Sequence, residues 1–195
     1  MDKADLRRQL RERLQAIPPD QRDQRSCRAC EELASLAPFQ GASLVMMFLS
    51  MPDEVDTTAA IHRAWRMGKT VVVPKVDWVL RTMTPVAIES LDQGLGLVAE
   101  RGGLRNPVGG QAVALEQIDL VVVPGLGFDR QGHRMGRGAG FYDRFLADPR
   151  LRAGRCGLCY AEQIVDMIPV TRTDQAMDWL VTDTQVFWFQ DRKGV

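Results

Sequence analysis

The stretch IDLVVV at residues 118–123 runs directly into PGLGFDRQGHRMGRGAGFYD at 124–143. After Asp119 the first part is wholly apolar and is closed by a proline, the pattern of a strand buried on both faces in a parallel sheet. The second part is punctuated by glycine at 125, 127, 132, 136, 138 and 140, and Phe141–Leu146 reads as the opening of a helix. Strand, glycine-rich loop and helix in that order put the loop outside the carboxyl end of a strand, where open α/β sheets bind ligands.

The loop's chemistry points to an anion. Glycine lets a backbone approach a ligand closely. Arg134 and Arg137 supply forked cations that match phosphate oxygens, and the helix beginning near Phe141 would aim free N–H groups at the same point. Asp143 adds a carboxylate beside that site, and two anions side by side call for a bridging cation, so magnesium is expected. The pattern is neither a P-loop, since no Gly-Lys-Ser/Thr follows, nor the dinucleotide fingerprint, since the third glycine comes too early. A flexible surface loop would also explain the glycines, but not the arginines, aromatics and acid gathered at one strand-to-helix junction.

The flanking sequence supports an α/β reading. Residues 2–16 carry Leu6, Leu10 and Leu14 at helical spacing. Pro18-Pro19 ends that helix and opens another, which runs to about Leu36. Leu44–Leu49 is a second buried strand. A helix over 56–67, capped by Asp56 or Thr57 and closed by Gly68, leads to a strand over Thr70–Val73 that Pro74 should end. Val79–Ile88 suggests one or two short strands, in an edge hairpin, and 92–116 a long surface excursion. Further strands are expected at Arg155–Tyr160, Trp179–Val181 and Val186–Phe189. The expected architecture is one α/β domain over residues 1–195, a three-layer α/β/α sandwich on a mostly parallel sheet.

Composition narrows the classes of partner. Lys+Arg and Asp+Glu both number 25 in 195 residues, so nothing global favours nucleic acid or an acidic membrane. No run approaches a membrane span, and Leu44–Leu49 is too short and too deep in the chain for a signal peptide. The cytoplasm is the expected compartment. Cys27-x-x-Cys30 and Cys156-x-x-Cys159 have metal-site spacing, but a helix and a strand hold them, and a strand throws residues three apart to opposite faces. They read as small buried hydrophobes.

Three segments, in matching order and spacing, resemble the 5-formyltetrahydrofolate cyclo-ligase family: Lys3-x-x-Leu6-Arg7, then FLSMPDE at 48–54 with VDT at 55–57, then Val123 to Leu146. The resemblance runs from Lys3 to about Thr182. It implies conversion of 5-formyltetrahydrofolate to 5,10-methenyltetrahydrofolate with MgATP as co-substrate and ADP and phosphate as by-products. It further implies ATP contacts from Lys3, Ala4, Asp5, Leu6 and Arg7, and from Arg134, Met135, Gly136, Arg137, Gly138, Ala139, Gly140, Phe141 and Tyr142. Leu49 and Glu54, with Arg137 to Phe141, would contact the folate, and Asp143 and Asp174 would hold Mg2+. Catalysis would rest on Lys3, Glu54, Arg134 and Arg137, in a monomer or weak homodimer acting on small molecules.

The chain departs from the family in two places. Phe141 stands where tyrosine is frequent, and Leu104-Arg-Asn-Pro107 lacks the acid of a Glu-Pro often found in bacterial members. Read without the resemblance, Lys3 and Arg7 would be a solvated helix face, Asp53 and Glu54 a helix cap, and Asp174 a surface acid. Trp65, Trp78, Trp179 and Trp188 read as packing residues. Met46 and Met47 read as core, with Met51 a candidate for an apolar pocket. His62 reads as structural or exposed, and His133 has no assigned role.

Overall fold

A computed structural model describes residues 2–92, 97–99 and 103–189. In chain order the elements are α1 (Lys3–Gln15), α2 (Pro19–Ser35), α3 (Ala37–Gly41), β1 (Leu44–Met46), α4 (Thr58–Arg66), β2 (Thr70–Asp77), β3 (Thr82–Ala87), β4 (Leu97–Ala99), β5 (Arg105–Pro107), β6 (Leu120–Val123), β7 (Gly127–Asp129), β8 (Arg134–Met135), α5 (Phe141–Leu146), β9 (Gly154–Leu158), β10 (Ile164–Val165), β11 (Trp179–Val181) and β12 (Val186–Trp188). The main sheet has 7 strands in the order β12-β11-β9-β6-β1-β2-β3. Its inner pairings are parallel, and antiparallel strands β12 and β3 close the two edges.

Both faces of the sheet are buried, as the apolar runs require. Val45, Val71, Val73, Leu120, Val122, Cys156, Leu158, Trp179 and Val181 face the core formed with α1 to α4. Their neighbours Met46, Val72, Val121, Val123 and Leu180 face the opposite core, under α5. This strict alternation is the two-residue period of a strand covered on both sides. It makes the molecule a three-layer α/β fold.

The chain leaves β1 toward β2 on one side and returns to β6 on the other. The crossover helices α4 and α5 accordingly pack on opposite faces, as one crossover hand demands. The reversal opens a crevice at the carboxyl ends of β1 and β6, the place where such sheets bind ligands.

Several boundaries differ from the sequence pattern for physical reasons. β1 is 3 residues long, not six, because the chain after Met46 bends toward the crevice. β2 is 8 residues long and runs straight through Pro74. Pro74 lies opposite Pro85, while the Val71–Ile88 pair, three positions back, closes a ladder bond from Ile88 N to Val71 O. The alternation makes the two prolines a non-hydrogen-bonded pair, so neither is asked for an N–H. Residues 73–77 thus project past the end of β1, and β3 follows as the expected edge hairpin. α4 begins at Thr58; Thr57 turns its hydroxyl to Phe48 O at 2.7 Å, and the Asp56 carboxylate accepts from Thr58 N at 2.9 Å. α3 has no signal in the sequence pattern.

The glycine-rich stretch 92–116 covers an edge rather than wandering over the surface: Ala87 N donates to Gln111 O and Val113 N to Pro85 O along β3. Residues 93–96 and 100–102 of that stretch lie outside the described residues. Cys30, Cys156 and Cys159 are buried as expected, but Cys27 is exposed. Burial pushes the Cys30 thiol up to about 12. No helix among the described residues is long and apolar enough to cross a membrane.

Candidate active site

The crevice opens into a cavity of about 1010 Å3. Its lining includes Lys3 and Arg7 from α1, residues between Phe48 and Glu54 after β1, the loop from Arg134 to Asp143, and Arg172 to Gln175. Each is fixed by local structure. Asp2 caps α1 by accepting from Ala4 N and Asp5 N at 2.8 Å. The stripe Leu6, Leu10 and Leu14 seats that helix in the core. β7 presses on it so closely that a Cβ on Gly127 would lie 2.6 Å from Leu10 Cδ1. Lys3 and Arg7, one turn apart on the same helix, therefore face the cavity together.

The glycine loop is pinned at both ends. Arg7 Nε donates to Gly136 O at 3.1 Å, and Arg144 Nη2 to Ala139 O at 3.0 Å. Gly138 and Gly140 have φ of 111° and 69°, a backbone that an L side chain would strain. α5 is only 6 residues long, so its contribution to anion binding is smaller than the sequence pattern suggested, and the arginines must supply most of it.

Each of the three cations expected to act in catalysis carries a carboxylate. Lys3 Nζ is 2.6 Å from Asp174 Oδ2. Arg134 Nη2 is 2.7 Å from Asp143 Oδ1. Arg137 Nη2 lies 2.5 Å from Asp53 Oδ1 and 3.0 Å from Glu54 Oε1. Glu54 is buried, and its second oxygen accepts from Met51 N at 3.0 Å. Burial raises its carboxyl above the ordinary glutamate range, against the pull of Arg137 and the Met51 N–H. Tyr142 lies under the Arg134 guanidinium, 5.6 Å from its carbon, and burial pushes its phenol up. Arg134 Nε and the Tyr142 hydroxyl are buried without a partner among the described residues.

The structure gathers the expected residues unevenly. Lys3, Arg7, Leu49, Glu54, Arg134 to Asp143 and Asp174 all line the cavity. Ala4, Asp5 and Leu6 do not: Leu6 is in the core and Asp5 pairs with Arg8. Met46 and Met47 are core residues while Met51 reaches the cavity. His133 bonds the buried Asp129 carboxylate at 2.9 Å, a structural role.

The cavity also has a wall that no motif announces: Pro74, Val76, Trp78 and Met83. The even-numbered face of β2 continues through Pro74, a signal lost when the proline is taken as a strand end. Trp78, expected to be packing, is 47% exposed and meets Phe141 edge-on at 5.1 Å. Arg105 and Arg172 also line the cavity, and neither has a side-chain partner among the described residues.

Comparison with known proteins decides the family. The model of the 5-formyltetrahydrofolate cyclo-ligase family matches residues 1–183. The chain belongs to this family. Within it, the chain is 30% identical over 184 residues to the mouse 5-formyltetrahydrofolate cyclo-ligase, covering 90% of this chain and 91% of that one. It is 29% identical over 183 residues to the cyclo-ligase of Escherichia coli K12, covering 91% and 98%. The NMR structure of Aquifex aeolicus 5,10-methenyltetrahydrofolate synthetase superposes with a TM-score of 0.83 at 28% identity, covering 100% of this chain and 96% of that one. With the family comes the enzyme class, a ligase.

The donors in this cyclo-ligase cavity suit a magnesium ion that arrives with phosphates. Asp143 Oδ2 and Asp174 Oδ1 are the oxygens left without a protein partner among the described residues. Mg2+ is commonly held by one or two carboxylates, with phosphate oxygens and waters completing its octahedron. Such a set falls short of a preformed cage, and no cluster of three or more His, Cys, Asp or Glu forms among the described residues.

Proposed function

We propose that the protein uses ATP and Mg2+ to convert 5-formyltetrahydrofolate into 5,10-methenyltetrahydrofolate, releasing ADP and phosphate. The observation that carries this reading is Arg137, which joins the phosphate-type glycine loop to the buried Glu54 across a single cavity. A two-substrate reaction needs such a residue where the two ligands meet.

A formamide carbonyl is a weak electrophile, and its oxygen is a poor leaving group. Transfer of the γ-phosphoryl group to that oxygen, with ADP departing, remedies both. The folate N10 then attacks the formyl carbon and loses its proton. The C–O bond breaks, phosphate leaves, and the methenyl cation remains. Such a transfer needs charge stabilisation and in-line placement more than a protein nucleophile.

Lys3, Arg134 and Arg137 supply the charge. Their carboxylate partners hold them in place, and arriving phosphates exchange for those carboxylates without repositioning the cations. The glycine loop brings backbone N–H groups against the phosphates, and Asp143 and Asp174 would hold Mg2+. A Mg2+ ion held there would supply neutralising charge to the phosphate oxygens. Glu54 orients the pterin or formyl end of the folate through hydrogen bonds, and its buried setting strengthens them.

The test mixes purified protein with MgATP and 5-formyltetrahydrofolate and follows methenyl-folate absorbance and ADP together. One ADP per methenyl group formed is expected. ATP hydrolysis without methenyl-folate, or tight folate binding with no turnover, would sink the reading.

A further inference from the structure

Glu54 stands in a partition between two cavities. Met51 and Glu54 line both the active-site cavity and a second one of about 580 Å3 on the other side of the loop that carries them. Residues 47–57 of that loop form neither helix nor strand. A stretch with open space on both sides and no ladder must take its position from side-chain bonds.

Two buried hydroxyls hold the Glu54 end. Ser26 belongs to α2, and Tyr160 lies two residues past β9. Tyr160 Oη is 2.8 Å from Ser26 Oγ and 3.3 Å from Glu54 O, and Ser26 Oγ accepts from Asp56 N at 3.0 Å. Each hydroxyl has one proton to give. Glu54 O can only accept, so Tyr160 donates to it and Ser26 donates to Tyr160. Burial raises the phenol above its ordinary value, which keeps its proton in place. The backbone is thus held on both sides of Val55, itself in the core.

Tyr160 is in turn fixed by its surroundings. Arg25 lies 5.3 Å over its ring and pairs with Asp183 at 2.6 Å, and Asp183 accepts from Ala161 N at 2.9 Å. Tyr160 N donates to Gln163 Oε1 at 2.8 Å, while the Gln163 amide donates to Gly125 O at 2.7 Å, at the root of the glycine loop. Gly127, which packs on Leu10 of α1, is so close that a Cβ there would lie 3.1 Å from Gln163 O. The turn Tyr160–Gln163 therefore meets the supports of three walls of the site: α1, the glycine loop and the loop bearing Glu54. Tyr160 itself lines the second cavity and not the active-site one, so whatever it contributes to turnover passes through Glu54.

From the hydroxyl chain Ser26–Tyr160–Glu54 and its anchor at Gly125, we propose that Tyr160 is a positioning residue, setting the place of the Glu54 carboxylate relative to the glycine loop and so the place of the folate relative to the phosphates. The inference rests on the cyclo-ligase reading. A shift of about 1 Å in a group that orients a substrate can cost about a hundredfold in rate. Loss of this one tether should cost less, because Met51 N and Arg137 still hold the carboxylate.

Steady-state kinetics of Tyr160→Phe test it. Phenylalanine keeps the ring under Arg25 and removes only the hydroxyl. KM for the folate should rise and kcat fall, each about fivefold, with KM for MgATP within about twofold of wild type. A residue that only stabilised the fold would lower the melting temperature and leave these constants unchanged in the folded enzyme. In a Glu54→Gln background the same change should cost less than about twofold, because the hydroxyl acts through that side chain. Ser26→Ala breaks the same chain one bond further back and should repeat the split between the two substrates; it decides the matter if Tyr160→Phe does not fold. Unchanged kinetics in folded Tyr160→Phe, with wild type active, would overturn the inference and leave the cyclo-ligase reading standing. An equal rise in KM for both substrates, or a full loss in the Glu54→Gln background, would overturn it too. A wild-type protein that forms no methenyl-folate would remove both readings.

Discussion

The side-chain amide of Asn106 brackets the backbone of Val76: its Oδ1 accepts from Val76 N at 2.8 Å and its Nδ2 donates to Val76 O at 3.0 Å. The amide does for β2 what β1 would have done had it been longer. Val72 O is met by Met47 N, Pro74 has no N–H to satisfy, and Val76 is met by Asn106. A carboxylate could accept from the N–H but could not donate to the carbonyl, so the missing acid in 104–107 has a structural reason in this chain. Asn106→Ala should cost about 2 kcal/mol in urea unfolding, and Asn106→Asp more, because a buried carbonyl would then face a charge. Losses below about 0.5 kcal/mol in both, the range of ordinary surface substitutions, would show that the bracket contributes nothing.

Glu54 should trade stability for function. Burial raises its carboxyl above the ordinary glutamate range, so the folded protein holds this proton more tightly than the unfolded chain. Its contribution to folding is full below the unfolded value of about 4.3 and is lost as the pH rises through the raised folded value. Glutamine cannot ionise. Glu54→Gln should match wild type in melting temperature near pH 4 and exceed it increasingly toward pH 8, while turnover falls about a hundredfold. A stability difference that stays flat across this range would contradict the assignment.

How much of this was legible in the sequence depends on what kind of signal each residue carries. The buried strands, the first helix and the glycine loop follow from apolar runs, helical spacing and glycine density, and they determine the crevice. Pro74 misleads, because a proline is expected to end a strand, and only its pairing with Pro85 makes it harmless. The wall beyond it, Trp78 included, is hidden as a result. Asp53 reads as a helix cap, and only the tertiary contact from Arg137, 84 positions along the chain, turns it into part of the site. Lys3 and Asp174 lie 171 positions apart, and nothing local to either announces their ion pair.

Asp143 and Asp174 should both act on the metal, and they should differ in their effect on folding. The Lys3–Asp174 pair is partly exposed and contributes little to stability, whereas Asp143 balances the buried Arg134 guanidinium. Asp174→Asn should melt close to wild type and Asp143→Asn measurably lower, and each should need about tenfold more Mg2+ for half-maximal turnover. Mn2+ bound with ATP gives a second readout by paramagnetic resonance, and its affinity should fall in step. An unchanged metal requirement in both variants would remove these carboxylates from the metal site.

Arg137 is where the two halves of the proposed site can be tested against each other. Its guanidinium reaches Asp53 through Nη2 and Glu54 through Nε and Nη2, so it spans both carboxylates and the loop that would cradle phosphates. Arg137→Ala should raise KM for ATP and for the folate and lower kcat/KM about a hundredfold. Arg137→Lys should not rescue it, because an ammonium is a point charge and cannot present a planar fork to two carboxylates and a phosphate at once. Asp53→Asn should weaken turnover in the wild-type background and change little once Arg137 is alanine, since Asp53 acts through that guanidinium alone. A rise in KM for one substrate only would place Arg137 in a single-ligand pocket. Additive losses in the Asp53–Arg137 pair would break the link between the loop after β1 and the glycine loop, on which the two-substrate site depends.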